Sequence, residues 1–198
     1  MVLPLVAVAQ EVRLYTSVDQ PYAVKIIREF EKQTGITVRV LTDAEATKTA
    51  GLAERLRAER NNPRADVWWS NEVFHTIRLA NEGILAPYES PAAKDIPAQF
   101  VDKQHRWTAA ALRIRVLLAA EGVDVKGYRD LLRPDLKGKS VLAKPAFGTT
   151  GGHMAAMYVL LGEQKYRGFL EAARANGLKL VGGNAIAANM VGSGQMSF

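Results

Sequence analysis

Four small residues, Thr149, Thr150, Gly151 and Gly152, form the stretch of this sequence best suited to chemistry. They follow a short apolar segment with strand character, 140–143, and a turn, and they precede a helical segment. The start of a helix has unpaired backbone N–H groups and a partial positive charge, and small residues let an anion approach closely. The stretch therefore predicts an anion-binding loop that opens a helix, with an ordinary strand-to-helix turn as the alternative.

Two arginines interrupt a long apolar run, 107–120, whose small and β-branched residues favour a strand over a helix. Arg113 and Arg115 are costly in such a run unless each guanidinium reaches solvent or an anion. Because a buried guanidinium needs an anionic partner, we predict that Arg113 contacts the ligand.

Enzyme motifs are missing from the sequence. It has no nucleophile elbow, no zinc-protease motif and no nucleotide-binding loop, because 148–152 lacks the required lysine. The absence of cysteine excludes disulfides, zinc–thiolate sites and cysteine nucleophiles, and the three histidines lack zinc-site spacing. These absences disfavour an enzyme, and we expect no resident cofactor. A small α/β enzyme acting on a phosphorylated metabolite stays open as the alternative, since helix-start anion sites serve binding proteins and enzymes alike.

The composition, 198 residues with 48% hydrophobic and 23% charged, is typical of a soluble globular protein. The net charge is +6, but the 26 Lys and Arg residues are scattered, so we expect no nucleic-acid partner.

No apolar run is long enough to span a membrane. The apolar start, 1–10, contains Ala-Val-Ala and predicts a signal-peptide remnant, hence export, with a longer first strand as the alternative.

Hydrophobic periodicity divides the chain into alternating strands and helices. The first half predicts a parallel sheet from strands 11–16, 36–41 and 65–69 and helices 21–34, 44–59 and 73–81, with Leu52, Leu56 and Ala58 facing inward. The second half predicts strands at 107–120, 140–143, 178–181 and 194–198, and helices at 128–132, 165–176 and 185–191, with Asn184 as an N-cap.

Five segments, in the order in which they occur, resemble the type II periplasmic solute-binding proteins, most closely their ferric-iron-binding branch. The segments are 14–22, 30–36, 65–72, 83–88 and 136–145, and the resemblance extends over 11–198. It implies an α/β fold, the two-lobe periplasmic-binding-protein type II fold, incomplete at the C-terminus, with the ligand enclosed between hinged lobes. The implied parts are a signal-peptide remnant (1–10), lobe 1 without its C-terminal return (11–108) and a truncated lobe 2 (109–198).

The same resemblance implies a periplasmic or secreted protein that works with the permease of an ABC importer. The implied ligand is Fe(III) with a synergistic anion, or another small anionic solute. The sequence ends on a predicted strand, 194–198, and an unpaired strand predicts a dimer formed through the exposed sheet edge.

The resemblance also implies particular ligand contacts, and several of them have structural alternatives. Asp19, beside Gln20, stands where iron-binding relatives have a histidine, and it is either a metal ligand or a helix N-cap. Asn71 aligns with a glutamate of those relatives, and the next residue, Glu72, is either a metal ligand or an acid in the first turn of a helix. The tyrosines that bind iron in relatives would lie past Phe198. The remaining implied contacts are Glu45, Thr47, Arg113, Asn184 and the loop formed by Thr149, Thr150, Gly151 and Gly152.

Overall fold

The computed structural model describes residues 10–43, 49–146 and 148–198. The chain divides into two compact units, Met1–Ala110 and Ala111–Phe198. The first unit contains a three-stranded sheet and the second a two-stranded sheet. Within the described ranges, no helix is both long enough and apolar enough to cross a membrane.

The first unit alternates strands and helices as the periodicity predicts. Its elements are β1 (Glu11–Thr16), α1 (Gln20–Thr34), β2 (Thr37–Thr42), α2 (Ala50–Ala58), β3 (Val67–Trp69) and α3 (Val73–Asn81). The central strand, β1, pairs in parallel with β2 and with β3, which confirms the predicted parallel sheet. Short 3-10 helices follow at Pro91–Ala93 and Ala98–Phe100. The carboxyl ends of the three strands therefore lie at one edge of the sheet, where loops can bring polar side chains together.

Local sequence sets the limits of α1. Pro21 lies in its first turn, where the missing N–H has no helical partner to lose. Gly35 follows the helix with a φ of 70°, a conformation that glycine adopts at little cost, and its N–H donates to the carbonyl of Glu31 at 2.9 Å. The predicted end of this helix at Gly35 is confirmed.

The core of the first unit lies between the sheet and its helices. Its buried members are Tyr15, Leu52, Ala53, Leu56 and Leu79. Leu52 and Leu56 face inward as predicted, but the prediction for Ala58 was wrong, because Ala58 is exposed and Ala53 is buried instead. At 100° per residue, Ala58 points to the far side of α2 from Leu56. The predicted start of α2, 44–48, lies outside the described residues.

In its described residues, the second unit is built on two parallel strands and three α-helices. Its elements are β4 (Val141–Ala143), α4 (Gly148–Leu161), α5 (Glu163–Ala175), β5 (Lys179–Val181) and α6 (Asn184–Gly192), with 3-10 helices at Tyr128–Leu132 and Pro134–Leu136. Leu131, Leu136 and Phe198 form its buried cluster.

The predicted strand at 107–120 was wrong. Thr108 makes an isolated bridge to Val101, and 109–120 is irregular, with Ile114 85% exposed. A strand forms only where a neighbour takes up its backbone hydrogen bonds, and no strand in the described part of the chain runs beside this segment.

The predicted strand at 194–198 was also wrong, although its end is hydrogen-bonded. The N–H groups of Ser197 and Phe198 both donate to the carbonyl of Lys139, at 2.8 and 3.3 Å. The Phe198 carbonyl also accepts from the Val141 N–H at 2.8 Å, so Phe198 alone pairs in parallel beside β4, and this pairing is too short to make a strand of 194–198.

Two predictions about helix starts also need correction. Helix α4 already begins at Gly148, so the four small residues, predicted as a loop, form its first turn. Gly183 is the N-cap of α6, and Asn184 is the first helical residue instead of the cap.

Candidate anion-binding site

The guanidinium of Arg115 lies at the start of α4 and joins three polar side chains. Its Nη1 donates to Thr149 Oγ1 at 3.4 Å and to Asn184 Oδ1 at 3.3 Å, and its Nη2 donates to Thr150 Oγ1 at 3.3 Å. These distances are long for hydrogen bonds, so the bonds are weak and exchange readily for better acceptors. A guanidinium has five N–H donors in one plane, an arrangement that suits an anion with several oxygens.

The first turn of α4 is held tightly against the turn that follows β4. A Cβ on Gly151 would lie 2.8 Å from the backbone oxygen of Pro145, a separation that real Cβ atoms do not tolerate. Thr150 is 2% exposed, and its hydroxyl donates to Asn184 Oδ1 at 3.3 Å. Glycine at 151 thus allows the close packing that fixes Thr149 and Thr150 beside Arg115.

His153 lies one turn further along α4, three residues after Thr150, on the same side of the helix. Its ring stacks on Tyr128 at 5.0 Å between centroids, with an angle of 24° between the planes. Its Nε2 is buried and has no hydrogen-bond partner among the described residues. Burial, and secondarily the positive charge of Arg115, lower the pKa of His153. The imidazole is therefore neutral at neutral pH.

The structure brings together Thr149, Thr150 and Asn184, and it places Gly151 and Gly152 in the same helical turn. The expected burial of Arg113 was wrong, because Arg113 is exposed, and Arg115 is the arginine in this cluster. The ligand contact of Arg113 stays a prediction. The sequence did not indicate Arg115 as a ligand contact, and it left His153 open between a ligand and a residue of the first helical turn.

A second polar cluster lies at the carboxyl edge of the first unit's sheet. Asn71 Oδ1 accepts hydrogen bonds from Ser17 Oγ at 3.3 Å and from Thr49 Oγ1 at 3.0 Å, and the Asn71 N–H donates to Ser17 Oγ at 3.2 Å. Thr49 is fully buried with a φ of 73°, an uncommon conformation for a β-branched residue. Asn71 thus ties the loops after β1 and β3 to the start of α2.

The carboxylate of Glu72 serves as the N-cap of α3. It accepts hydrogen bonds from the backbone N–H groups of Phe74 and His75, the latter at 3.1 Å. This arrangement favours the structural alternative for Glu72, because a carboxylate that satisfies two helix-start N–H groups is costly to withdraw.

The remaining predicted residues of the first unit have no shared site in the described structure. Asp19 occupies the N-cap position of α1 but makes no side-chain capping hydrogen bond, and Gln20 is exposed at the first position of that helix. Glu45 and Thr47 lie outside the described residues. Within the described ranges, no three His, Asp or Glu side chains lie close enough to hold a metal ion. The metal role of Asp19 and Glu72 stays a prediction.

The chain belongs to a family of bacterial extracellular solute-binding proteins, whose sequence profile matches residues 12–198. A probable ABC transporter periplasmic-binding protein of Sinorhizobium fredii is 34% identical over 113 residues, which are 54% of this chain and 32% of that protein. Iron uptake protein A1 of Synechocystis is 24% identical over 160 residues, 78% of this chain and 43% of that protein.

Solved structures of ferric-binding proteins share the fold. The Bordetella ferric binding protein is 28% identical with a TM-score of 0.71, over 95% of this chain and 60% of that one. The ferric binding protein from Campylobacter jejuni is 23% identical with a TM-score of 0.82, over 94% of this chain and 60% of that one. The chain thus spans less than half the length of these two curated relatives and about 60% of the solved chains.

These comparisons confirm the resemblance to type II solute-binding proteins of the ferric-binding branch and the α/β fold that it implies. A family of solute-binding proteins also favours the predicted binding role over the enzyme alternative.

Proposed function

We propose that this chain captures a small anion, or Fe(III) together with an anion, for an ABC importer. The observation that carries the proposal is the convergence of Arg115, Thr149, Thr150 and Asn184 at the start of α4. The names of relatives, which include iron uptake and ferric-binding proteins, support Fe(III) as the metal. Export and docking on a permease belong to the same proposal.

The physical basis is the sum of two positive fields. The start of α4 contributes a partial charge of about half a unit through its unpaired N–H groups, and Arg115 contributes a full charge. The oxygens of an anion would replace the threonine and asparagine oxygens, which now accept from Arg115 at 3.3 to 3.4 Å. The guanidinium donates to neutral oxygens now and would donate to anionic oxygens after the exchange, so a charge attraction is added and the exchange favours binding.

Fe(III) is a hard cation that prefers oxygen ligands. An anion with several oxygens, held by some of them at α4, has others left for a metal. Asp19 and Glu72 are the proposed metal ligands of the first unit, although the Glu72 carboxylate would first have to release the helix start that it caps.

Equilibrium binding of sulfate to the 198-residue chain tests the anion site. Arg115→Gln removes the charge, and because hydrogen bonds to charged groups are worth about 1.5–3 kcal/mol, we expect an affinity loss of about tenfold to a hundredfold. Arg174→Gln, which removes an exposed arginine of α5, is the matched control and should leave the affinity unchanged. Equal affinities for the Arg115→Gln variant and the wild type would contradict the proposal.

A parallel measurement addresses the ligand class and the enzyme alternative. Native mass spectrometry of the purified chain should show a co-purifying anion or Fe(III). Catalytic release of phosphate from a phosphorylated metabolite would contradict a pure binding role.

A separate proposal concerns self-association. The outer strands β2 and β3 each pair on one side only within the described sheet, so two copies could join through such an edge. The mass of the chain in solution, measured by light scattering, tests this: a monomer at all concentrations would contradict it.

A further inference from the structure

A half-buried histidine lies one helical turn from the proposed anion site. His153 follows Thr150 by one helical turn on α4, and its ring is packed flat against Tyr128. The Nε2 atom is buried without a hydrogen-bond partner among the described residues. Buried polar atoms normally have partners, so an unsatisfied imidazole nitrogen beside a ligand site suggests a role in the bound state.

The charges that act on this imidazole are few. In the described part of the chain, Arg115 is the charged group that shifts the titration of His153, and Tyr128 is the titratable ring packed against it. Burial contributes more than Arg115 does, and both disfavour the imidazolium. An anion that pairs with Arg115 would cancel the repulsion and add an attraction to the same ring.

We infer that His153 takes up a proton when an anion binds beside Arg115, so that anion capture and protonation of this side chain are coupled. This inference rests on the proposed anion site. The proton comes from solvent, and it converts a neutral imidazole into an imidazolium. The coupling makes the site favour anions with more negative charge, because only these compensate both the Arg115 guanidinium and the His153 imidazolium.

The direction of the pH dependence follows from linkage. The pKa of His153 is lowered in the free protein and would be higher in the complex. The affinity for the anion is therefore greatest at pH values below the pKa of the free protein, and it falls as pH rises towards and through the pKa of the complex. An opposite charge at about 4–6 Å raises such a pKa by about one unit or more, which corresponds to about a tenfold difference in affinity.

Sulfate is the suitable probe because it keeps its double charge throughout the range in which histidine titrates. Sulfate affinity for the full chain would be measured by calorimetry from about pH 5 to pH 8, in two buffers with different ionisation enthalpies. The difference between the buffers counts protons taken up by the wild-type protein and needs no variant. We expect uptake of part of one proton and an affinity about tenfold higher at the acidic end.

Two variants assign the proton. His153→Gln should abolish both the uptake and the pH dependence, and NMR of the imidazole signals should show the His153 pKa rising when sulfate is added. His105→Asn is the control: His105 is exposed in the first unit with a φ of 55°, which asparagine tolerates, so both effects should persist.

The outcomes separate this inference from the proposed function. Sulfate binding that depends on Arg115 but takes up no proton overturns the role of His153 and leaves the anion site intact. Proton uptake that persists in the His153→Gln variant also overturns it. No sulfate binding at any pH overturns the anion site and the inference together.

Discussion

The Asp102 carboxylate shows how one ionised side chain connects two parts of the first unit. It binds Arg106 through two contacts, Nε to Oδ2 at 2.6 Å and Nη2 to Oδ1 at 3.0 Å, while Arg106 Nη1 donates to the carbonyl of Ala80 at 2.9 Å. The hydrogen bond from Arg106 is the main reason that the pKa of Asp102 falls to about 2. The end of α3 is thereby joined to the segment that follows it.

We expect Asp102→Asn to lower the urea midpoint of the first unit at neutral pH. The difference from the wild type should shrink as pH falls from the unfolded pKa, about 3.9, towards the folded value, because protonation removes the same ion pair. Urea unfolding followed by tryptophan fluorescence at a series of pH values measures this difference in midpoint. Asp95→Asn removes an exposed carboxylate of the same unit and should change little. A difference that does not vary with pH would contradict this account.

At this scale the sequence indicates the kinds of side chain in the site better than their positions. Thr149, Thr150 and Asn184 were predicted and lie together. Arg113 was preferred to Arg115 because the family resemblance places Arg113 among the residues that line the cleft, and because a buried guanidinium needs an anionic partner. The segment is irregular, so one arginine is exposed and the other is half-buried. Such a difference depends on tertiary contacts that no local pattern encodes.

Helix α3 owes its start to Glu72, whose carboxylate accepts from the N–H groups of Phe74 and His75. Glu72→Ala should lower the free energy of unfolding of the first unit by about 1 kcal/mol, the usual loss when an N-cap is removed. Urea unfolding followed by tryptophan fluorescence measures this. Glu72→Gln should cost less, because its amide oxygen can still accept.

Glu89→Ala is the matched control for this prediction, since it removes an exposed glutamate of the same unit outside any helix. If the Glu72→Ala variant were as stable as the wild type while its iron affinity fell, the ligand interpretation of Glu72 would be correct and the capping role minor.

Elements with a regular hydrophobic period were predicted well, and elements that depend on a distant neighbour were not. The order from β1 to α3 follows from apolar periodicity and from breakers such as Gly35. The segment 107–120 is rich in apolar and β-branched residues. A strand also needs a neighbouring strand to pair with, and the local sequence does not show whether one is present. In 194–198 only Phe198 pairs beside β4, since its N–H donates to the Lys139 carbonyl and its own carbonyl accepts from the Val141 N–H.

For the whole molecule, family membership rests on the order of several weak motifs. The five segments between 14 and 145 are individually short, but the order in which they occur matches a family whose profile covers 12–198. Structural similarity extends over about 95% of the chain at identities below 30%. The fold could therefore be predicted from the order of the motifs, whereas the identity of the ligand depends on a few side chains such as Arg115.

The two units carry different spectroscopic probes, and this permits a test on the intact chain. All three tryptophans, Trp68, Trp69 and Trp107, belong to the first unit, whereas every residue of the proposed anion site belongs to the second. A ligand at a hundred times its Kd stabilises the form that binds it by about 2.7 kcal/mol. We expect sulfate to raise the urea midpoint seen by far-UV circular dichroism, which includes the signal of α4, α5 and α6, and to shift the tryptophan transition much less.

Sulfate also stabilises proteins by exclusion from their surface, so the Arg115→Gln variant supplies the baseline to subtract. A tryptophan shift as large as the dichroism shift, and equal in the variant, would mean that sulfate binds elsewhere or acts only through the solvent.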